Sequence, residues 1–261
     1  MSTPHSVNAA QRGKLFLVPA PLDFGCAQQV PLTNVMPAFT LQVAATLQHW
    51  VCENAKTTRA YLKRVAEIYP LCATLQDMQI QELPRELHKK GDHQGGFDAK
   101  PLLVAALHGH HVGLVSEAGM PAVADPGSSV VRAAHDLGLT VVPLVGPVSL
   151  LLALAASGLN GQSFAFVGYI PSTPTERVQR IKELEFLAQK TGQTQMMIET
   201  PYRNTALLQA LQQTLQSHTR LATASGLTLP NAQCYSDLVK NWKGRGWTAD
   251  NSQPTVFAIG K

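Results

Sequence analysis

The stretch that decides the fold is SEAGMPAVADPG, residues 116–127. It follows the apolar run VGLV at 112–115, which is typical of a buried strand, and it precedes a segment with helical spacing at 128–137. Glycine lets a ligand approach the backbone closely, and proline fixes the path of a loop. We therefore predict a strand, a loop whose peptide groups face a ligand, and a helix, in that order.

The flanking sequence repeats this arrangement. The apolar run 14–18 stops at Pro19-Ala20-Pro21, and the predicted strand 140–144 ends at Val145-Gly146-Pro147. Alternation of short apolar strands with helices predicts a parallel sheet with crossover helices. Ligands bind beyond the carboxyl ends of such strands, which is where the three glycine and proline loops fall.

The second half starts a new set of strands and helices, so the chain is predicted to be α/β with two domains. We expect a polar tail at 1–13, a domain at 14–158 and a second domain at 159–261, each with a central sheet flanked by helices. The almost wholly apolar segment 149–157 predicts a helix buried on most sides. The glycine-broken segment 86–100 is a candidate lid over the site.

Composition narrows the class of protein. Hydrophobic residues make up 45% of the chain and charged residues 15%, which excludes disorder and a charge-driven nucleic-acid arm. The net charge of +4 permits an anionic partner without requiring one. The four cysteines form no C-x-x-C pair, and no apolar run reaches the roughly 18 residues that a bilayer span needs, so we expect a cytoplasmic protein that does not contact a membrane.

Familiar cofactor motifs are absent or misplaced. There is no phosphate-binding P-loop, and GRGWTA at 244–249 does not follow the first strand of a βαβ unit, so it predicts a surface turn. The histidines at 108, 110 and 111 lack carboxylate or cysteine partners at ligand-like spacing. We therefore expect no metal site.

Six segments carry a family resemblance. They are LVPAPL at 17–22, ENAKTTR at 53–59, SEAGMPAVADPG at 116–127, VPLVGP at 142–147, FVGYIP at 166–171 and ETPYR at 199–203. In this order they resemble the motifs of the tetrapyrrole (corrin and porphyrin) methylase superfamily, and most closely its branch of small-subunit ribosomal RNA cytidine 2′-O-methyltransferases. The string SGLTLP at 225–230 departs from that branch and is nearer to the small-molecule methylases of the superfamily.

The resemblance implies a class III methyltransferase fold that binds S-adenosyl-L-methionine (SAM) in a cleft between two domains, mainly through backbone groups. It also implies a homodimer. The residues that it assigns to the donor site are Leu22, Ala118, Gly119, Met120, Pro121, Val123, Ala124, Val148, Ser149, Ile198, Ser225 and Gly226.

A hydroxyl acceptor would need a general base, whereas a carbon or amine acceptor might need none. Glu117 is our candidate catalytic residue, and Glu53 is another carboxylate that could orient the acceptor. For either side chain the alternative is a carboxylate that caps a nearby loop N–H.

The acceptor stays open between ribosomal RNA and a small molecule, tetrapyrrole-like or otherwise. For RNA, the cations and tryptophans of segment 240–247 could meet phosphates and stack on unpaired bases, although a solvated surface turn would look the same. A protein that retains the donor pocket without catalysis is the third possibility.

Overall fold

The chain folds around two five-stranded sheets, which we describe from a computed structural model. The structure describes residues 12–90, 92–93, 95–242 and 247–261. They form two compact units. The first contains the described residues up to Pro21 together with Pro31–Pro147, and the second contains Leu22–Val30 and Val148–Lys261.

The first unit is a parallel α/β sheet with the strand order β3-β2-β4-β1-β5. Every neighbouring pair of strands is parallel, as the sequence predicted. Its elements are β1 (Lys14–Leu17), α1 (Ala38–Thr46), β2 (His49–Cys52), α2 (Ala55–Ala66), β3 (Gln79–Glu82), α3 (Arg85–Lys90), α4 (Val104–Leu107), β4 (Val112–Val115), α5 (Ser128–Asp136) and β5 (Thr140–Pro143).

Local sequence explains the central strand of this unit. All four residues of β4 are buried, because helices cover both faces of a parallel sheet. Gly113 is required there, since a Cβ at this position would lie 2.6 Å from the ring of Trp50, which is itself fully buried. Two residues before β1 also contact this unit: Gly13 donates its N–H to the carbonyl oxygen of Ala106, and Arg12 donates to that of Leu137. The predicted polar tail otherwise lies outside the described residues.

The second unit contains a mixed sheet with the order β6-β7-β10-β8-β9. The pair β6 and β7 is parallel, whereas β10 is antiparallel to both β7 and β8, and β9 is antiparallel to β8. Its elements are α6 (Ser149–Ser157), β6 (Phe164–Tyr169), α7 (Pro174–Thr191), β7 (Thr194–Ile198), α8 (Asn204–Thr214), β8 (Arg220–Ser225), β9 (Gln233–Leu238), α9 (Val239–Trp242) and β10 (Thr255–Gly260).

Helix α6 corrects the predicted domain boundary. The sequence assigned it to the first domain, but it belongs to the second unit, because Leu150, Ala153 and Leu154 pack on the face of that unit's sheet that includes Met196. The helix was also expected to be buried on most sides, between domains or between subunits. The described residues of the chain leave Leu151 51% and Leu152 40% exposed, so burial of that side against a subunit stays a prediction.

Candidate functional site

Two of the predicted loops are tied together at the carboxyl edge of the first sheet. Ala20 and Gly119 form an antiparallel bridge, in which each N–H donates to the other residue's carbonyl oxygen at 2.9 and 3.0 Å. The strands that lead into these loops, β1 and β4, are neighbours in the sheet. Gly119 has a φ of 71°, a conformation that favours glycine.

The loop after β5 packs against the same place. A Cβ on Gly146 would lie 2.4 Å from the Cβ of Pro19, so only glycine allows this approach. Thr40 Oγ1 donates a 2.7 Å hydrogen bond to the carbonyl oxygen of Val145 and fixes the loop from the side of α1. The three glycine and proline loops therefore converge, as expected from the ends of parallel strands.

The loop 116–127 has an unusual backbone. Ala122 and Ala124 adopt φ values of 64° and 65°, which cost of the order of 1 kcal/mol or more for a residue with a Cβ. Ser116 is 5% exposed, and its hydroxyl oxygen has no partner among the residues that the structure describes. An orphaned hydroxyl beside a loop with this backbone fits a polar ligand such as SAM at this edge.

Asp92 anchors the far end of this loop. Its carboxylate accepts hydrogen bonds from the backbone N–H groups of Gly127 and Ser129 and from the hydroxyls of Ser128 and Ser129, at 2.5 to 2.9 Å. Burial raises the pKa of Asp92, but these hydrogen bonds outweigh burial, so the pKa lies below its ordinary value. Arg132 also donates to the carbonyl oxygens of Asp92 and His93.

These bonds bear on segment 86–100, our candidate lid. The segment begins within α3, and its Asp92 caps the N-terminus of α5. This part of the segment therefore fixes the end of loop 116–127. Gly91 and Gln94 lie outside the described residues. A lid role for the remainder stays a prediction.

Three carboxyl groups gather at the edge formed by β2 and β4. Glu53 follows β2 directly, and its Oε1 lies 3.4 Å from the backbone N of Glu117. This contact is the loop cap that we considered as the alternative role for Glu53. Burial, together with the negative charges of Glu53 and Glu117, raises the pKa of Asp125 to about 7.

In the second unit the predicted site residues meet at one sheet edge. Ile198 ends β7 and Ser225 ends β8, and both strands flank Thr255 and Val256 at the start of β10. The hydroxyls of Ser225 and Thr255 are 2.8 Å apart, and the N–H of Gly226 donates to the carbonyl oxygen of Pro254 at 3.0 Å. This brings together the residues that the resemblance assigned to one side of the donor.

The sequence analysis missed Asn204, which organises that edge. Asn204 is completely buried, and its Nδ2 donates to the carbonyl oxygens of Asp250 and Gln253 and to Thr255 Oγ1. An asparagine directly after ETPYR was the available signal, but its partners lie about fifty residues away in the sequence. Asp125 was missed for a similar reason, since one of the two charges that act on it comes from Glu53, which follows another strand.

The remaining predicted residues fall into the two groups already described. Within the first unit they lie on the loop 116–127, where Gly119 and Pro121 are buried and Val123 is 41% exposed. Leu22 belongs to the segment assigned to the second unit, and Val148 and Ser149 begin α6. Their contact with a donor stays a prediction.

The basic segment near residue 240 does not have the expected surface. Trp242 is 1% exposed and donates its indole N–H to the carbonyl oxygen of Asp237, so it cannot stack on a base. Trp247 and Tyr235 pack against it, with ring centroids 5.5 and 4.6 Å from that of Trp242. These rings form core. Lys243 and Arg245, like the glycines of the GRGWTA string, lie outside the described residues.

Among the residues that the structure describes, no group of three or more His, Cys, Asp or Glu side chains could hold a metal ion. No described helix is both long enough and apolar enough to cross a membrane.

Comparisons with known proteins agree with this geometry. The curated ribosomal RNA small subunit methyltransferase I of Mesorhizobium japonicum is 32% identical over 189 residues, which cover 72% of this chain and 57% of that protein. The protein of the same name from Vibrio cholerae is 34% identical over 137 residues, 52% of this chain and 46% of that protein. This chain thus spans about half the length of these relatives.

The fold has a counterpart among solved structures. The methyltransferase CobJ superposes with a TM-score of 0.56 over 95% of this chain and 94% of that one, at 18% identity. The family model for tetrapyrrole (corrin/porphyrin) methylases matches residues 46–241, well over half of the chain. The chain therefore belongs to the tetrapyrrole (corrin/porphyrin) methylases.

Proposed function

We propose that this protein is a SAM-dependent methyltransferase that modifies small-subunit ribosomal RNA, at a ribose 2′-hydroxyl. The observation that carries the proposal is the bridge between Ala20 and Gly119, which joins two backbone-lined loops at the carboxyl edge of a parallel sheet. Family membership supports methyl transfer. The names of the relatives from Mesorhizobium japonicum and Vibrio cholerae support ribosomal RNA as the acceptor.

On this proposal the first unit binds the donor through loop 116–127, with Ala118, Gly119 and Met120 nearest to it. Ala122 and Ala124 hold the loop in a backbone conformation with positive φ, and Asp92 holds the end of the loop in place. In the second unit, Ile198, Ser225 and Gly226 contribute from their shared edge. Leu22, Pro121, Val123, Val148 and Ser149 complete the proposed set.

Bound SAM supplies an electrophilic methyl group on a sulfonium. The chain's own tasks are to align the acceptor oxygen with that methyl group, to exclude water and to accept the hydroxyl proton. Glu117 is the predicted base. Asp125 is a second candidate from the same edge, because its pKa of about 7 lets it accept a proton near neutral pH.

A small-molecule methylase is the second candidate function. The loop SGLTLP favours it, because this string departs from the ribosomal RNA branch at the place where Gly226 and Thr228 take φ values of 58° and 72°. A donor-binding protein without catalysis is the third.

We also propose that the protein is a homodimer, because the exposed Leu151 and Leu152 of α6 supply an apolar surface for a second copy. We propose a cytoplasmic location, because ribosomes are the proposed substrate.

The first test is calorimetric titration of the purified chain with SAM. We expect binding, and its loss in Gly119→Val, since valine disfavours the φ of 71° that Gly119 takes in its bridge to Ala20. Gly192→Val is the matched control: Gly192 has a φ of 72° but lies at the end of α7 with open space around it. If wild-type protein does not bind SAM at millimolar concentration, the proposal is wrong.

The second test identifies the acceptor. Purified protein is incubated with methyl-labelled SAM and small ribosomal subunits isolated from a strain that lacks the gene. We expect label in ribosomal RNA and a 2′-O-methylnucleoside after digestion. Label absent from RNA but present on an added tetrapyrrole would favour the second candidate, and SAM binding without transfer to either would favour the third.

A further inference from the structure

Two tyrosine rings of the second unit are strongly exposed. Tyr169 is 60% exposed and Tyr202 is 71% exposed, whereas Trp242 and Phe257 of the same unit are buried. An exposed aromatic ring can bury much apolar surface when a planar group of a ligand stacks on it. Two of them on one edge therefore mark a candidate interaction surface.

Both tyrosines belong to the carboxyl ends of neighbouring parallel strands. Tyr169 is the last residue of β6 and pairs with Ile198, the last residue of β7. Tyr202 lies in the one-turn helix Pro201–Arg203 that follows β7 after two residues. The rings thus rise from adjacent strand ends, on the edge that also carries Ile198.

Guanidinium groups accompany the two rings. Arg177 donates from Nε and Nη2 to the carbonyl oxygens of Pro171 and Ser172, which places its positive charge on the loop after Tyr169. Arg203, adjacent to Tyr202, pairs with Glu199 at 3.1 Å. The Nη2 atom that makes this contact is buried together with the carboxylate, so the charge of Arg203 is balanced inside the fold. Glu176, the acidic residue directly before Arg177, accepts a hydrogen bond from the hydroxyl of Thr173.

We propose that Tyr169, Tyr202 and Arg177 form a tyrosine surface that binds an unpaired RNA strand, with bases stacked on the rings and a phosphate near the Arg177 guanidinium. This inference rests on the proposed function and adds where the RNA strand binds. Stacking of a base on an aromatic side chain such as tyrosine contributes about 1–3 kcal/mol to binding and depends little on which base is stacked. Unpaired nucleotides are also the form in which proteins usually read RNA bases.

The test measures the affinity of the whole chain for a fluorescein-labelled single-stranded oligoribonucleotide by fluorescence anisotropy, at one fixed salt concentration. We expect the double variant Tyr169→Ala/Tyr202→Ala to bind at least about 10-fold more weakly, the fold-change that corresponds to losing roughly 1.4 kcal/mol of stacking. Tyr169→Phe/Tyr202→Phe keeps both rings and should stay within about 2-fold of wild type.

Phe164→Ala is the matched control, because Phe164 is a 41% exposed aromatic residue at the opposite end of β6, roughly 16 Å from Tyr169. It should bind RNA like wild type. Calorimetry with SAM and sedimentation velocity are run on every variant. The alanine variant should keep donor affinity and oligomeric state, since neither ring belongs to the proposed donor set.

The outcomes separate this inference from the proposed function. RNA binding and methylation that persist in the double alanine variant overturn the tyrosine surface alone. A phenylalanine variant as weak as the alanine variant excludes stacking, and a change in oligomeric state assigns the surface to a second copy of the chain. Wild-type protein that binds SAM but neither binds nor methylates RNA overturns the proposed RNA acceptor as well.

Discussion

Asn204 lies completely buried with its Nδ2 3.1 Å from Thr255 Oγ1, and this contact links two loops at one edge of the second sheet. The same amide donates to the carbonyl oxygens of Asp250 and Gln253 at 2.9 and 2.8 Å. Thr255 in turn lies 2.8 Å from the hydroxyl of Ser225. One side chain at the start of α8 therefore holds the segment before β10 against the strand end that carries Ser225.

Asn204→Leu should destabilise the protein by about 2 to 4 kcal/mol, because it leaves the carbonyl oxygens of Asp250 and Gln253 without a donor. Urea denaturation measures this change. Thr205→Ala is the matched control, since the Thr205 hydroxyl contacts Ala249 and Asn251 of the same segment but is more exposed. Its cost should be below about 1 kcal/mol. Equal losses in the two variants would contradict the anchoring role.

Asp92→Ala should cost about 2 kcal/mol, because the carboxylate caps α5 and fixes the end of loop 116–127. The pKa of Asp92 is lowered in the fold, so its stabilising effect is present above the unfolded pKa, near 4, and is lost as the pH falls through the lower folded value. The difference between wild type and variant in urea should therefore shrink at acidic pH. Asp98→Ala should show a much smaller cost, because this exposed carboxylate accepts a hydrogen bond from the Lys100 N–H of its own turn.

Asp125→Asn should stabilise the protein increasingly as the pH rises. The folded pKa of about 7 lies above the ordinary 3.8, so the carboxylate form is disfavoured in the fold. In wild type, ionisation of Asp125 lowers the free energy of unfolding. This loss starts near pH 4, grows until about pH 7 and then stays constant, at on the order of 2 to 4 kcal/mol. Urea denaturation of both proteins between pH 4 and 8 measures the difference.

Glu53→Gln provides the control for this pH dependence. It removes one of the two negative charges that raise the pKa of Asp125, so this pKa should fall. The loss of stability caused by ionisation of Asp125 should therefore stop increasing at a lower pH than in wild type. A difference between Asp125→Asn and wild type that does not vary with pH would show that Asp125 ionises at its ordinary pKa.

Local patterns predicted the elements better than the contacts between them. The buried strand β4 and the glycine and proline loops follow from runs of neighbouring residues, and so does the parallel first sheet. Asp92 and Asn204 depend on partners far away in the sequence, and one of the two charges that act on Asp125 comes from Glu53, so no periodicity or spacing reveals them. Trp242 shows the converse: its neighbouring lysines indicated a surface turn, but packing against Tyr235 makes it core.

Gly146→Ala tests whether the convergence of loops serves donor binding. The added Cβ would lie 2.4 Å from the Cβ of Pro19, so the loop after β5 must move away from the loop that Ala20 ties to Gly119. We expect SAM affinity, measured by calorimetry, to fall by about 10-fold or more, because displaced peptide groups no longer face the ligand. Gly161→Ala is the control, since Gly161 has open space around it and an ordinary φ. Gly146→Ala could instead lower stability in urea and leave SAM affinity unchanged. The contact between Gly146 and Pro19 would then support only the fold, and donor binding would depend on the loops that the bridge between Ala20 and Gly119 joins.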